Sequence, residues 1–369
     1  MKVLQINKLY YPHIGGVEKH VQDVAQALHG QIDVEVLVAN SERKATREKV
    51  NDVVVTRVPA WGTVQSAPIA PGFYGAIRRS DADIFHLHFP NPIGEIAYLA
   101  AGAPGKLVVT YHADVVRQKT LKRFYGPIIK RLLDRADMIM ASSPNLIEQS
   151  PWLADLQEKC RVIPFAIDLT PFQTNAQTEA KAKEIRESAG TPLILFVGRL
   201  IYYKGLEWLI RALPNVEANL VVVGEGVLKP DLQELAAELG VADRVRFAGA
   251  VTDADLPAYY HACDLFALPS IAESEAFGFV QLEAHACGKP VVSTDLPTGV
   301  PYANLDEVTG LIVPPKDSAA LATALNRLLS DEALRRRLGG QAKERVETEF
   351  SLEAMGREIM KAYKELLSG

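Results

Sequence analysis

Residues 193–223, LILFVGRLIYYKGLEWLIRALPNVEANLVVV, decide the fold. Leu193 to Val197 is a continuous apolar run of strand length, and Gly198 ends it. Arg199 to Gly205 carries two cations, and Leu206 to Ala212 then takes up a helical pattern before Leu220 to Val223 repeats the apolar run. Strands apolar on both faces with a helix between them make a parallel β-α-β unit. The same alternation runs through the rest of the chain. Before it come Lys2–Ile6, Val34–Val38, Val53–Val58, Ile84–Phe89, Leu107–His112 and Met138–Ser142; after it come Val245–Phe247, Leu265–Leu268, Val291–Thr294 and Leu311–Val313. The fold class expected is α/β, with two doubly wound, Rossmann-like domains, since 369 residues exceed one ordinary core. The pattern breaks after Arg161–Asp168, at Thr170-Pro171 and the polar stretch Gln173–Lys183. An N-terminal domain 1–168 and a C-terminal domain 169–351 follow from that break. Open sheets bind ligands beyond the carboxyl ends of their strands, so function is expected in those loops, in a cleft that the two domains face.

A hydrophobic content of 48% with 23% charged residues is that of a globular chain, and no apolar run reaches the ~18 residues that span a bilayer. The N-terminus MKVLQINKLYYP reads as a first strand and not as a signal peptide, so a cytoplasmic location is expected. Cys160, Cys263 and Cys287 are odd in number and far apart, which suggests neither a disulfide framework nor a zinc site. The net charge of −5 argues against a nucleic-acid partner. Charge is uneven, however: Arg117, Lys119, Lys122, Arg123, Lys130, Arg131 and Arg135 face one acid, Asp134, between Arg117 and Arg135. Leu121, Phe124, Tyr125, Ile128, Ile129, Leu132 and Leu133 interleave with them at helical spacing. Such an element either lies on anionic lipid or buries its apolar side in the core.

The loop after the first strand holds Gly15 and Gly16 just before a helix, where they permit close backbone approach to a ligand or form a simple tight turn. This is not the three-glycine dinucleotide fingerprint. His86 and His88 alternate onto one strand face, but a metal pair there lacks a third ligand at suitable spacing. The next strand ends in Thr110-Tyr111-His112-Ala113-Asp114, which puts His112 at the strand end as a functional candidate or as a hydrogen-bonded core histidine. Arg199 and Lys204 share one strand-end loop, and two fixed cations can neutralise a leaving diphosphate, the work often given to Mg²⁺. Gly224-Glu225-Gly226 is a further tight turn, and Gly249-Ala250-Val251 can meet a base through its backbone. Asp81, Asp83, Asp253 and Asp255 imitate metal-diphosphate pairs, but the first two precede their strand and the last two open a helix, so no metal site is expected.

The segment SIAESEAFGFVQLEAHACGKP, Ser270 to Pro290, places Glu275 on a loop and Glu283 in a helix that begins near Phe279 and stops at Gly288 and Pro290. Amides of Phe277, Gly278 and Phe279 at the helix start, with the positive end of its dipole, offer a seat for phosphate. Carboxylates only accept hydrogen bonds, which suits hydroxyl pairs: a hexose near Glu275 and a ribose near Glu283. Two ordinary solvated glutamates beside a core helix is the plain alternative.

Taken in order, Gly15-Gly16, His112, Arg199 with Lys204, and Glu275-x7-Glu283 resemble the retaining glycosyltransferases of the GT-B fold, family 4, over nearly the whole chain. The resemblance implies a donor diphosphate on Arg199 and Lys204, a ribose on Glu283, and the transferred sugar on Glu275 and the amides of Phe277 to Phe279. It further implies that His112 contacts the sugar, that Gly16 donates to the phosphates, and that a helix 352–369 crosses back to the first domain. YYPHIGGVEKHV, GRLIYYKG and IPFAID are similar to mannosyltransferases of bacterial surface polysaccharides, which implies GDP-mannose, with a UDP-hexose as the other donor. Pro164-Phe165-Ala166 departs from the Pro-Asn-Gly of many relatives. A lipid-linked or oligosaccharide acceptor, read by Trp61–Pro71 and Arg117–Lys122, and contact of 117–135 with the inner face of the membrane complete the expectation, with no cofactor. A non-catalytic two-lobed binding protein and an epimerase or phosphorylase of the same fold are the competing classes.

Overall fold

The computed structural model describes residues 1–13, 15–64, 67–113 and 119–368, with side chains except at 64, 67 and 119–124. Asp114 and Arg117, the side chains of Lys119, Lys122 and Arg123, and positions 65 and 66 of the Trp61–Pro71 loop therefore lie outside the described residues. The chain divides into two compact units, Met1–Ala166 with Leu352–Gly369, and Ile167–Ser351.

In the first unit β1 (Lys2–Ile6), β2 (Asp33–Ala39), β3 (Thr46–Val50), β4 (Val53–Val58), β7 (Ile84–Phe89), β8 (Lys106–Tyr111), β9 (Met138–Ala141) and β10 (Cys160–Val162) form one sheet; β5 (Thr63–Val64) and β6 (Ala67–Pro68) pair separately. The order is β10-β9-β8-β7-β1-β2-β4-β3. All of these neighbours are parallel except β3 and β4. That antiparallel edge departs from the all-parallel expectation. Asn51 and Asp52 both take positive φ, the two-residue turn that matches hairpin twist, and the charged TREKV run of β3 suits an exposed edge.

Alternation along the strands sorts the core. Leu4, Ile6, Phe85, Leu87, Leu107 and Val109 pack on one face with Phe73, Tyr98 and Ile129 from helices 72–79, 92–101 and 119–135. Val3, Ile84, Val108 and Met140 face the other way, under Val24 of helix Gly16–Leu28 and Met355, Ile359 and Tyr363 of helix Leu352–Ser368. The C-terminal helix is thereby part of the first unit's core. Ile129, Leu132 and Leu133 of helix Lys119–Arg135 are buried, while Lys130, Arg131 and Arg135 are exposed. Over its described part, then, that basic helix spends most of its apolar side on the core and leaves mainly charge outside. Among the described residues, no helix is long and apolar enough to cross a membrane.

The second unit is a parallel sheet of β11 (Leu193–Val197), β12 (Asn219–Val223), β13 (Val245–Gly249), β14 (Leu265–Leu268), β15 (Val291–Thr294) and β16 (Gly310–Val313), ordered β13-β12-β11-β14-β15-β16. Helices cover both faces: Leu209 and Leu325 pack against Ile194 and Leu220 on one, Ile185 and Ala284 against Leu195 and Phe266 on the other. The connection reverses direction between β11 and β14, and in the first unit between β1 and β7. Such switch points leave a crevice beyond the strand ends.

One buried acid in the first unit gives a stability test. Glu95 accepts from the Asn91 amide at 2.6 Å and from the Tyr125 hydroxyl, and burial pushes its carboxyl from 4.5 to about 7. The folded chain thus holds a proton that the unfolded chain releases, so its stabilisation is full below about pH 4.5 and is lost as pH rises through about 7. Urea unfolding of the full chain is expected to show Glu95→Gln gaining ~2–3 kcal/mol over the parent between about pH 5 and pH 8. Parallel pH profiles for the two chains would contradict this.

Candidate functional site

The second unit's crevice is built from glycines that let loops touch. A Cβ at Gly205, which has φ +65, would strike the Pro269 carbonyl oxygen, and Ile271 donates its amide to the Tyr203 carbonyl at 2.8 Å. The loops after β11 and β14 therefore meet backbone to backbone. That contact carries Lys204 to Glu275: Nζ lies 2.6 Å from Oε2, with both residues buried, at 9% and 7% exposure. Ser270 donates its hydroxyl to the same carboxylate oxygen at 2.8 Å, and Thr294 donates to the Ser270 carbonyl. Glu275 is not the solvated loop acid of the plain reading.

Arg199 is exposed and donates through Nη2 to the Tyr203 hydroxyl at 3.2 Å; the Lys204 ammonium lies 5.7 Å from the centroid of that same ring. One loop thus presents an open guanidinium and a buried ammonium around one aromatic. Gly224 and Gly226 press against Gly198 and Leu200, where any Cβ would meet backbone, and Gly224 donates to the Gly249 carbonyl at 2.8 Å. The ends of β11, β12 and β13 are stacked by these contacts. Val251 is half-buried in the apolar cluster of this layer, so its side chain is structural.

Helix Phe279–Ala286 starts hard against β14. Gly278 takes φ +74 as its N-cap, and a Cβ there would meet Leu268. Phe277 is buried, and Gln281 donates to its carbonyl at 2.7 Å. Along this helix Glu283 receives the Tyr260 hydroxyl at 2.6 Å on Oε2. Burial raises the Glu283 carboxyl above its ordinary range, opposed by the Tyr260 hydrogen bond and by the charge of Lys204. Arg199, Lys204, Glu275, Glu283 and the turn Phe277–Phe279 thus all belong to the β11–β14 switch region of one unit.

The first unit carries the remaining candidates. Gly15 is extended, at φ −165, and Gly16 opens the helix, so neither forms a left-handed tight turn. What Gly15 accommodates is the Glu18 carboxylate, folded back over the helix start where a Cβ would sit; Gly16 is exposed with open space beside it. His112 follows β8 and donates its amide to the Phe89 carbonyl at 3.2 Å; its ring is buried and stacked on Phe165. Phe165 is thus a wall for this imidazole. His112 Nε2 lies 3.1 Å from His88 Nδ1. His86 and His88 do share a face but serve different partners, since His86 engages Thr110 and Tyr363 at 2.6 and 2.5 Å.

His86 takes no part in a three-nitrogen group; His88 is joined instead by His112 and by His20 of helix Gly16–Leu28. Ring nitrogens of His20, His88 and His112 lie within 4.8 Å of one another, the one metal-capable group of this kind among the described residues. Burial holds all of these imidazoles below their ordinary range, and so neutral. The spacing between His88 and His112 is that of a shared hydrogen bond. His20, Gln5, Tyr260, Ser270 and Tyr363 escaped the sequence reading. Gln5 interrupts an apolar strand, which was a visible signal; His20, Tyr260 and Tyr363 lie on helices and Ser270 in a loop, and these gave none.

The family model for glycosyl transferases group 1 matches residues 177–345, and that for glycosyltransferase family 4 matches residues 14–171. Among curated proteins the chain is 33% identical to O-antigen chain mannosyltransferase C of Escherichia coli, over 100% of this chain and 99% of the other. It is 33% identical to the D-rhamnosyltransferase WbpZ of Pseudomonas aeruginosa, over 95% and 92%. Among solved structures, Anabaena Alr3699/HepE in complex with UDP aligns with a TM-score of 0.79 at 22% identity, over 99% of this chain and 100% of that one.

The buried ion pair yields its own test. Removing one partner strands the other charge, which costs about 3–5 kcal/mol, whereas removing both is far milder. Lys204→Met is therefore expected to unfold at lower urea than the double variant Lys204→Met/Glu275→Gln. Additive losses in the double variant would contradict the pairing.

Proposed function

The chain belongs to the family 4, group 1 glycosyltransferases, and from that membership we propose that it is a retaining, nucleotide-sugar-dependent hexosyltransferase. Its proposed donor is GDP-mannose, and its acceptor a lipid-linked glycan of a lipopolysaccharide, O-antigen or exopolysaccharide type. The observation that carries the reading is the Lys204–Glu275 pair at 2.6 Å, a cation and an acceptor-only group side by side at a switch point. A diphosphate on the ammonium brings the attached sugar's hydroxyls to the carboxylate. Arg199, exposed on the same loop, supplies the second charge.

In the proposed reaction the C1–oxygen bond to the diphosphate breaks and a C1–oxygen bond to the acceptor forms on the same face. The acceptor's proton passes to the departing phosphate oxygen. Arg199 and Lys204 stabilise the negative charge that develops on the leaving group, so no metal ion or cofactor is assigned. Glu275 and the amides of Phe277 to Phe279 hold the transferred sugar; Glu283, fixed by Tyr260, takes the ribose hydroxyls. His112 meets the sugar as a neutral imidazole, and Gly15 and Gly16 leave backbone room for phosphate once Glu18 swings aside. Val251 contributes backbone to the base. Any hold on an anionic membrane surface falls to the charges of helix Lys119–Arg135, because most of its described apolar side is buried.

Support for mannose comes from the full-length likeness to the E. coli mannosyltransferase. A UDP-hexose is the second reading, favoured by the UDP of the Anabaena structure. Incubation with GDP-mannose, UDP-glucose and UDP-N-acetylglucosamine without acceptor tests both, with slow GDP release expected even in excess chelator. Preferential UDP release supports the second reading, and chelator-sensitive turnover contradicts the metal-free one. Glu275→Gln is expected to lower kcat by about 10²–10³-fold, whereas Glu283→Ala chiefly raises the donor KM. A glycosylated Glu275 or Asp114 trapped during turnover would replace the same-face route by double displacement.

A further inference from the structure

Parallel strands buried on both faces are ordinarily apolar throughout. In the first unit the face beneath helix Leu352–Ser368 begins that way, with Val3, Ile84 and Val108, and then turns polar toward the strand ends, with Gln5, His86, His88 and Thr110, all buried. Burying so many hydrogen-bonding groups is costly unless each has a partner, and here they form one chain. Gln5 Nε2 lies 3.4 Å from the Tyr363 hydroxyl, Gln5 Oε1 lies 2.6 Å from His88 Nε2, and His88 Nδ1 lies 3.1 Å from His112 Nε2.

We infer that Tyr363, Gln5 and His88 are positioning residues that fix His112 in its Nε2–H tautomer, so that its Nδ1 carries the lone pair and accepts a hydroxyl proton of the bound sugar. The inference rests on the reading of His112 as a sugar contact. An amide oxygen can only accept, so His88 Nε2 bears hydrogen and His88 Nδ1 is bare. His112 Nε2, facing that bare nitrogen, must donate, which leaves its own Nδ1 bare. The Tyr363 hydroxyl anchors the far end. It receives the Gln5 amide hydrogen and gives its own to His86 Nδ1 at 2.5 Å, while His86 Nε2 donates to Thr110 at 2.6 Å. Turning the Gln5 amide over would reverse the donors along the chain and present a hydrogen where the sugar offers one. Helix Leu352–Ser368 thereby reaches the proposed chemistry through Tyr363 without touching it.

Imidazole ¹⁵N NMR of the full chain reads the tautomer directly. The expected result is Nε2–H at His112 in the parent and a mixture of both tautomers in Tyr363→Phe. With the donor selected by the panel above, Tyr363→Phe and His88→Leu are expected to lower kcat about tenfold with donor KM within about threefold. His88→Asn, whose side-chain oxygen can stand where Nδ1 stood, should recover most of the rate. His112 in the Nδ1–H form in the parent, or an unchanged spectrum and kcat in Tyr363→Phe, would overturn the inference. So would stoichiometric zinc in the purified protein, since a metal on His20, His88 and His112 would take the lone pairs that the chain assigns to hydrogen bonds. Undiminished turnover in His112→Ala would instead sink the reading of His112 as a sugar contact, and the NMR result would still judge the chain.

Discussion

A lysine ammonium held 2.6 Å from a glutamate, with both nearly out of water, is the constraint on which the second unit's strand-end loops depend. Two ions taken out of water repay their desolvation only when geometry is tight and the remaining hydrogen-bonding sites are filled. Ser270 fills one, and the backbone contact at Gly205 sets the distance. Gly205 cannot carry a side chain because the Pro269 carbonyl occupies the space, and Gly224 and Gly226 are bound in the same way to the loop of Gly198 and Leu200. The glycines at these strand ends are thus first a consequence of loops packed in register. The cradle they leave is the means by which a cation, a carboxylate and a helix start come to share one small region.

The first unit solves a different problem. The buried polar side chains Gln5, His86, His88 and His112 are neutral, because burial disfavours the charged imidazoles, and they are satisfied by neutral partners instead of by ion pairing. A chain of neutral hydrogen bonds has direction, so the proton position at one end follows from the acceptor at the other. An ion pair fixes charge, whereas this network fixes polarity without charge. A group that must orient hydroxyls without attracting a counter-ion is served by the second arrangement.

The basic helix illustrates how one pattern admits two structures. Amphipathic spacing between Tyr125 and Arg135 fits a lipid surface and a protein core equally well, since both are apolar on one side. Over its described part the apolar side packs beneath the first sheet. The edge strand Thr46–Val50 is a similar case. Its exposed, charged residues carry no strand pattern of their own, and the Asn51-Asp52 turn recruits it to β4.

What the sequence determined by itself was everything local. Apolar runs marked the parallel strands of both sheets to within a residue or two, apart from the short edge strand Cys160–Val162, Gly288 closed helix Phe279–Ala286, and the polar residues at strand ends stood out as Arg199, Lys204, Glu275, Glu283 and His112. Strand periodicity is written in neighbouring residues, so it survives without the fold. Tertiary structure alone decided which strand ends lie side by side. β14 pairs with β11 across some seventy residues of chain, and so Lys204 meets Glu275 rather than solvent. The same holds for Tyr260 under Glu283, and for Tyr363 joined through Gln5 and His88 to His112. Those partners are chosen by sheet order and helix docking, long-range outcomes of packing the whole core at once, which no local pattern records.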